Sequence, residues 1–368
     1  MELFDVSGCR CKIGSTADLP PLDGVDKNKL RRLPRASRLA LPAAREALGQ
    51  AGLLDAGGRC LIRDLPLSAS TTGGGMALGE KFLRGALQGR KRPGLFNASR
   101  YLPHNQIVDI QEHFGFRGHS MTIANACASG GNAMGHAADL IRAGFCDCIL
   151  TGGYEALTEL IFVGFDCLQA SSTDRCRPFD VNRSGLMLGE GAGFLVLESE
   201  ARAKKRGARI LCRLAGYGHS TDLHHLTQPE PSGQALVRAM QMATKQAGIS
   251  PRDIGYINAH GTATTRNDVA EGNAYQECFK DNLPSIRISS TKAAIGHTLG
   301  AAGSIEAVFA VMALLRGELP PQLNVQTPEP VVAASLVKEG EKLREDAAVM
   351  SVNLGFGGSN AALIFAKA

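Results

Sequence analysis

The chain has 368 residues, of which 44% are hydrophobic and 20% are charged. This is the composition of a globular protein with a sizeable buried core, and it excludes wholesale disorder. Forty Lys and Arg against 35 Asp and Glu leave a net charge of +5, which, with 5% aromatic residues and no Trp, argues against a nucleic-acid-binding surface.

Neither secretion nor a membrane span is expected. Residues 1–5 have no basic start followed by an apolar stretch, so they predict no signal peptide. The most apolar helical stretch, residues 305–315, contains Glu306 and is shorter than the roughly 20 residues that a bilayer span needs. We therefore expect a cytoplasmic protein.

The ten cysteines are interpreted as reduced thiols, which fits a cytoplasmic location. Two Cys-x-Cys pairs, Cys9/Cys11 and Cys146/Cys148, lack the spacing typical of zinc ligands. Neither a metal nor an organic cofactor is expected.

The first half of the chain has the pattern of a strand, a turn, a helix and a second strand. Residues 120–126 predict a buried strand, and Cys127 begins the turn into a helix. That helix carries apolar side chains at helical spacing, namely Met134, Ala137, Ala138 and Ile141. Another buried strand is predicted over residues 146–150, and a Gly-rich turn at 189–193 enters an apolar strand.

The second half repeats this pattern. Residues 286–290 predict a strand, and a Gly-rich turn leads into a helix whose apolar stripe comprises Ile305, Val308, Phe309 and Met312. A Gly-rich turn at 355–359 again enters an apolar strand. The agreement in order and spacing predicts an internal duplication.

Alternating strands and helices with short connections predict an α/β protein with largely parallel sheets, covered on both faces. We place the boundary near residue 208, which gives domains 1–208 and 209–368. The basic segment 201–209 is interpreted as an exposed connection.

Cys127 is a candidate nucleophile because it lies where a predicted strand ends and a helix begins. The N–H groups at a helix start favour a thiolate and can bind an oxyanion, so we expect a lowered pKa for this thiol. Taken alone, Cys127 is more simply interpreted as a small thiol in the core, which is how most cysteines behave.

His260 and His297 are candidate partners of this cysteine. His260 follows the apolar stretch 254–259, and His297 follows the strand that the duplication pairs with the one before Cys127. Ligands of open α/β sheets bind at the carboxyl ends of the strands, so the three side chains can converge there. For His297 alone, a role in satisfying backbone groups at a helix entry is the alternative.

The motifs that contain these residues resemble those of the β-ketoacyl synthases of the thiolase superfamily. They are Ala126-Cys127-Ala128-Ser129-Gly130, Asn258-Ala259-His260-Gly261-Thr262, Ser290-Thr291-Lys292 with Gly296-His297, and Gly355-Phe356-Gly357-Gly358-Ser359-Asn360. The resemblance covers the chain from about residue 120 onward. It implies a thiolase-like fold with layers in the order α-β-α-β-α.

The resemblance also implies the chemistry. Cys127 would accept an acyl group, and His260 and His297 would stabilise the enolate formed when a malonyl thioester loses CO2. Phe356 would contribute an oxyanion-hole N–H group and gate the acyl pocket. Lys292 would belong to the catalytic set, with Glu306 and Asp268 as supporting charges.

The implied partners are acyl carrier protein, with its acyl and malonyl thioesters, and a second subunit in a homodimer or heterodimer. Two basic runs, 27–38 and 202–209, are candidates for steering the acidic carrier, although each is equally consistent with a solvated helix face. Carrier protein and CoA both stay open as acyl donors.

The sequence departs from the family near its start. The opening strand with its Thr-Gly-x-Gly turn is barely visible at Val6-Ser7-Gly8, and Ser359 stands where the family usually has Thr. A partner-dependent or non-catalytic subunit, similar to a chain-length factor, is therefore the alternative function. A degradative thiolase is disfavoured, because that branch uses a second cysteine near the C-terminus and the last one here is Cys278.

Overall fold

A computed structural model describes residues 3–22, 27–90 and 94–368, with the side chains of 27–29 left undescribed. Nine strands lie within these residues. They are β1 Leu67–Ser70, β2 Ser120–Ile123, β3 Cys148–Glu155, β4 Gly191–Glu198, β5 Arg213–Thr221, β6 Ile254–Asn258, β7 Arg287–Ser289, β8 Ala348–Leu354 and β9 Ser359–Ala366.

The described residues also form twelve α-helices. They are α1 Lys27–Arg32, α2 Arg35–Gln50, α3 Met76–Leu87, α4 Leu95–Arg100, α5 Asn105–Phe114, α6 Ser129–Arg142, α7 Glu159–Cys167, α8 Glu200–Lys205, α9 Gln234–Ala247, α10 Asn267–Phe279, α11 Lys292–Ile295 and α12 Ala302–Arg316.

Two sheets with matching topology carry the predicted duplication. The first has the order β2-β1-β3-β4 and the second the order β5-β9-β8-β6-β7. In the first, β1 is parallel to β2 and β3, and β3 is antiparallel to β4. In the second, β6 is parallel to β7 and β8, and β8 is antiparallel to β9. The two halves are therefore built to one plan, as predicted.

Three strands correct the expectation of largely parallel sheets. Strands β4, β9 and β5 run antiparallel to their neighbours, so both sheets are mixed. The link between β8 and β9 is only four residues long, which is too short for a parallel crossover and forces a reversal of direction.

The second sheet has a fifth strand, β5, to which nothing in the described part of the first half corresponds. Residues 3–22, which precede the first sheet in the chain, contain no strand. Their one β-type contact is an isolated bridge between Ser15 and Gly189. The weak opening-strand signal at Val6-Ser7-Gly8 corresponds to a turn.

The five predicted layers follow from which helices pack on which sheet. Helices α2 and α5 cover the outer face of the first sheet, and α9 and α10 cover that of the second. Helices α6 and α12 lie between the sheets and contact strands of both. On α6, Met134, Ala137 and Ala138 are buried as predicted, and Ile141 is half-buried.

The apolar stripe predicted for α12 is not its most buried part, because the helix lies between the two sheets. Ile305, Val308, Phe309 and Met312 are only half-buried, while the fully buried positions are mostly small, among them Ala302, Gly303, Ala307 and Ala310. A helix between two sheets contacts strands on two sides, and small residues permit that close approach. The 18-residue segment Leu299–Arg316 is long and apolar enough to span a membrane by composition, but 67% of it is buried inside the protein.

One further prediction differs from the structure. The strand predicted over residues 120–126 ends at Ile123, and it lies half-exposed at the edge of its sheet instead of in the core. The segment 201–209 is mostly exposed, as predicted, and its residues 201–205 belong to helix α8.

Close packing of α6 against β5 predicts that Gly135→Ala destabilises the protein. A Cβ atom at Gly135 would lie 2.3 Å from the ring of Tyr217, whose hydroxyl donates to Asn132 Oδ1 at 2.8 Å. We expect a loss of about 1–3 kcal/mol in the free energy of unfolding, measured by denaturant titration.

The matched control is Gly164→Ala on α7, where nothing lies within 4 Å of the added atom. Helix propensity alone should stabilise this variant by up to about 1 kcal/mol. Equal effects in the two variants would contradict the packing argument.

Candidate active site

Cys127 lies in a single 3-10 turn, Ala126–Ala128, directly ahead of α6. Ala126 has φ = 57°, a left-handed conformation that is costly for a residue with a side chain and is typical of functional turns. The hydroxyl of Ser129 holds this turn, because it donates to Ala126 O at 2.5 Å and accepts from Asn125 N at 2.8 Å. The cysteine is thus fixed at the strand-to-helix turn and is only 4% exposed.

The pKa of Cys127 is raised, whereas its position at a helix start predicted a lowered one. Burial raises it to about 12, since a thiolate loses its hydration in the site. Lys292 and the backbone N–H of Phe356 favour the thiolate, and Glu155 and Glu306 oppose it, but burial dominates. The resting cysteine is therefore a neutral thiol.

His260 and His297 lie side by side, with ring centroids 5.3 Å apart and planes nearly perpendicular at 87°. His260 follows β6, and His297 lies in the loop between α11 and α12. The two side chains come from different parts of the second half and are 2% and 1% exposed.

Both imidazoles are neutral near pH 7. Burial lowers the pKa of each well below its ordinary value, and the charge of Lys292 lowers it further. Lys292 Nζ lies 3.4 Å from His260 Nδ1, so this nitrogen accepts and the ring proton resides on Nε2. Both ring nitrogens of His297 are buried without a hydrogen-bond partner among the described residues.

Lys292 belongs to a buried network that links it to the histidines. Its ammonium forms an ion pair with Glu306, which also accepts from Asn353 Nδ2 at 2.6 Å. Burial raises the pKa of Glu306, and the pairing with Lys292 opposes this shift. The pair places a positive charge beside His260 inside a site that would otherwise exclude it.

Asp268 does not line the cavity and instead holds the loop that follows His260. Its carboxylate accepts from the backbone N–H groups of Phe179 at 2.7 Å and Ala263 at 3.1 Å. Both of these residues have left-handed backbones, with φ of 62° and 64°. Asp268 thereby stabilises two strained turns next to the site.

Glu271 was not predicted from the sequence. Its carboxylate accepts from the backbone N–H groups of His260 at 2.6 Å and Gly261 at 2.7 Å, and from the hydroxyl of Tyr275. Burial and the nearby Asp268 raise its pKa to about 7. The signal that could have revealed it is a row of polar residues at helical spacing on the buried face of α10, namely Asn267, Asp268, Glu271 and Tyr275.

The cysteine and both histidines open onto one cavity of about 50 Å³. Its other lining residues include Phe165, Leu186, Asp222, His225, Thr227, Thr262, Thr264, Leu354 and Phe356. This volume accommodates a few water molecules and not an acyl chain.

Phe356 closes one side of the cavity. Its ring stacks on that of Phe165, with centroids 5.4 Å apart and planes 24° apart, and its backbone N–H points at the sulfur of Cys127. The following Gly357, with φ = 80°, allows the turn, and its N–H donates to Leu226 O at 2.7 Å. The hydroxyl of Ser359 accepts hydrogen bonds from the side-chain amides of Asn125 and Asn132. Serine, which stands where the family usually has Thr, therefore supplies a hydroxyl that is used as an acceptor.

Three side chains of the basic run at 202–209 form ion pairs. Arg202 and Arg206 both pair with Glu198, and Lys204 pairs with Glu200. In the other basic run, Arg35 pairs with Glu190, and the side chains of residues 27–29 lie outside the described residues.

Two domain families match most of the chain. Residues 14–203 match the family described as Beta-ketoacyl synthase, N-terminal domain, and residues 211–326 match Beta-ketoacyl synthase, C-terminal domain. The chain belongs to the β-ketoacyl synthase family.

Relatives of this β-ketoacyl synthase agree with the assignment. It is 36% identical over 352 residues to the 3-oxoacyl-[acyl-carrier-protein] synthase 2 of Staphylococcus aureus (strain N315), covering 94% of this chain and 84% of the relative. Among solved structures, the ishigamide ketosynthase/chain length factor has 30% identity and a TM-score of 0.91, covering 99% of this chain and 90% of that one.

A second solved structure is a type II polyketide acyl carrier protein in complex with its ketosynthase bound to the hexaketide. It has 27% identity and a TM-score of 0.87, covering 98% of this chain and 89% of that one. The predicted thiolase-like fold and the predicted class, a condensing acyltransferase, are confirmed.

The raised pKa of Cys127 predicts how its alkylation depends on pH. Only the thiolate reacts with iodoacetamide, so the rate should rise about tenfold for each pH unit between roughly pH 7 and 10. The measurement is site-resolved mass spectrometry of the Cys127 peptide. A plateau near pH 8.5, about the pKa of a free cysteine, would contradict the dominance of burial.

Proposed function

We propose that this β-ketoacyl synthase accepts an acyl group on Cys127 and extends it by decarboxylative Claisen condensation with a malonyl thioester. The observation that carries the proposal is the pair of buried, neutral histidines that share one small cavity with a buried cysteine. The two imidazoles that share the cavity with the sulfur are neutral, which suits thioester exchange and a decarboxylation in which the enolate is stabilised by hydrogen bonds.

In the first step, the Cys127 sulfur attacks the carbonyl carbon of the acyl thioester. The bond from that carbon to the carrier sulfur breaks, and the proton of the Cys127 thiol passes to the departing thiolate. A neutral imidazole of the site relays this proton, because the thiol with its raised pKa does not ionise beforehand. The product is an acyl group on Cys127 and a free carrier thiol.

In the second step, the malonyl carboxylate leaves as CO2. The electron pair of the broken carbon–carbon bond moves onto the thioester oxygen, and the enolate oxygen accepts hydrogen bonds from His260 Nε2–H and from a ring N–H of His297. The position of His297 supports this role, because the ring lines the cavity and neither of its nitrogens has a hydrogen-bond partner among the described residues.

In the third step, the enolate carbon attacks the acyl carbonyl on Cys127. The oxyanion accepts from the backbone N–H groups of Cys127 and Phe356, the carbon–sulfur bond breaks, and the departing sulfur takes up one proton from the solvent. The product is a β-ketoacyl thioester on the carrier that brought the malonyl group. Phe356 must leave its stack on Phe165 for a long acyl chain to enter, which is the basis for proposing it as the gate.

The proposed substrate carrier is acyl carrier protein, supported by the likeness to a ketosynthase solved with its carrier. Ion pairing reduces the steering contribution of the 202–209 run, so affinity for the carrier should depend on other contacts. We propose a cytoplasmic enzyme with the division near residue 208 separating its two halves.

A dimer is the proposed assembly. Apolar side chains remain exposed on the region before Cys127, including Leu83, Leu87, Tyr101 and Met121. Sizing of the purified chain alone separates a homodimer from a subunit that needs a related partner, which is the alternative favoured by the likeness to a ketosynthase/chain length factor.

Covalent acylation tests the role of Cys127. Incubation with an acyl thioester should add one acyl mass to the protein, and Cys127→Ala should abolish the adduct. Cys176→Ala is the matched control, because Cys176 is a second buried cysteine that faces Thr262 O and lies outside the cavity lining. Persistence of the adduct in Cys127→Ala would remove this residue from its role.

Release of CO2 from a malonyl thioester tests the histidines. His260→Ala and His297→Ala should each slow it by about 10²–10³-fold, the usual effect of losing one oxyanion donor. His104→Ala, an exposed histidine at the start of α5, is the control. Unchanged release in both site variants would contradict the enolate assignment.

Because the pKa of both histidines lies well below 6.5, CO2 release by the unmodified protein should not decline as the pH falls from about 8 to 6.5. A change in rate with a midpoint between pH 6.5 and 8 would show that one imidazole titrates in this range, which would contradict the lowered pKa.

A further inference from the structure

Glu155 is a buried carboxylate to which the mechanism assigns no role. It is the last residue of β3, it is 0% exposed, and it does not line the cavity. Its Oε1 accepts from Thr71 Oγ1 at 3.1 Å and Gly73 N at 2.8 Å, and its Oε2 accepts from Thr72 N at 2.7 Å and Gly300 N at 2.9 Å. Among the described residues, no basic side chain forms an ion pair with it.

One of these donors belongs to the loop that carries His297. Gly300 lies three residues after this histidine, in the short 3-10 turn Leu299–Ala301. Its N–H donates to Glu155 and its carbonyl accepts from Ser70 Oγ at 2.9 Å. Both main-chain groups of Gly300 are thus held by residues of the first half.

The main chain of His297 is held in the same way. Its N–H donates to Met187 O at 2.6 Å, and its carbonyl accepts from Gly189 N at 2.9 Å. The second half therefore supplies the His297 side chain, while the first half fixes the main chain on both sides of it.

The backbone at Gly300 packs closely against the turn that follows β1. A Cβ atom there would lie 2.3 Å from Thr72 N, so the loop and the turn after β1 are in direct contact. A single oxygen of Glu155 receives the N–H groups of both Thr72 and Gly300. The carboxylate therefore joins the turn after β1 to the His297 loop, because without it the N–H groups of Thr72 and Gly300 would face each other with no acceptor.

His260 is held by a different carboxylate. Glu271 accepts from the N–H groups of His260 and Gly261, and both partners belong to the second half. Each histidine thus has its own backbone-binding carboxylate.

We propose that Glu155 is a positioning residue for His297. By joining the turn after β1 to Gly300, it fixes the loop so that the ring of His297 lies next to that of His260. The proposal rests on the proposed function, because the effect is expected on the step that needs both histidines.

Replacement of Glu155 by Gln isolates this role. Glutamine keeps the size but has a single acceptor oxygen, so in one orientation its NH2 group faces the N–H groups of Thr72 and Gly300, and in the other it faces that of Gly73. Either orientation disturbs the contact between the turn after β1 and the His297 loop. We expect CO2 release from a malonyl thioester to fall by about 10- to 100-fold, as for a sub-ångström to ångström displacement of a reacting group. The final yield of the acyl adduct on Cys127 should be unchanged after long incubation, because the yield depends on the sulfur and the thioester and not on the speed of the proton relay.

A double-mutant cycle separates positioning from general damage. If Glu155 acts through His297, then Glu155→Gln should change CO2 release by less than about twofold in a His297→Ala background and retain its full effect in a His260→Ala background. Glu271→Gln should give the reverse pattern. Equal losses from Glu155→Gln in both backgrounds would overturn the proposal.

Two further measurements keep the test decisive. If Glu155→Gln does not fold, Ser70→Ala removes the hydrogen bond to Gly300 O without altering charge, and it should couple to His297 in the same cycle. NMR of labelled histidines should show a shifted His297 signal and an unchanged His260 signal in the Glu155→Gln protein.

Unchanged spectra, or no coupling of Ser70→Ala, would overturn the assignment. If the unmodified protein neither forms the adduct nor releases CO2, the proposed function fails, whereas the NMR comparison still tests the position of His297.

Discussion

Burial of the sulfur and the two imidazoles away from bulk solvent is the physical constraint on which the site depends. In this environment an isolated charge is costly, so Cys127 is a thiol, both histidines are neutral, and Lys292 is paired with Glu306. The same burial strengthens every hydrogen bond that a substrate oxygen makes there. Reactivity therefore comes from donors already in place and not from a preformed thiolate.

The duplicated architecture supplies this buried site at the contact between its halves. Helices α6 and α12 contact each other between the sheets, and the turns ahead of them bring Cys127 and His297 to the shared cavity. Since backbone N–H groups at these turns need acceptors, buried carboxylates are a natural way to satisfy them. Glu155 works across the two halves and Glu271 within one, so the histidines depend on separate supports.

Local motifs in the sequence predicted the fold class, the duplication and the family. This was possible because a strand-to-helix turn and its glycines are formed by residues that are neighbours in the sequence. The prediction of a single apolar stripe as the buried face of α12 was wrong. Helical periodicity identifies one buried face, whereas a helix between two sheets is buried on two faces. The direction of the Cys127 pKa was also wrong, because burial depends on chain segments far apart in sequence. The partnership of Glu155 with Gly300 joins positions 145 residues apart and leaves no local pattern. The division at residue 208 remains a prediction.

The unequal strand number of the two sheets has a consequence for their cohesion. Strand β9 has a neighbour on either side, and its residues 360–365 are almost fully buried, whereas β4 is bonded to β3 alone and most of its residues are half-buried. Peptide groups along the free margin of β4 depend on solvent for their partners. Amide hydrogens at this margin should therefore exchange with bulk water more readily than those of β9, which has a hydrogen-bonded strand on both sides.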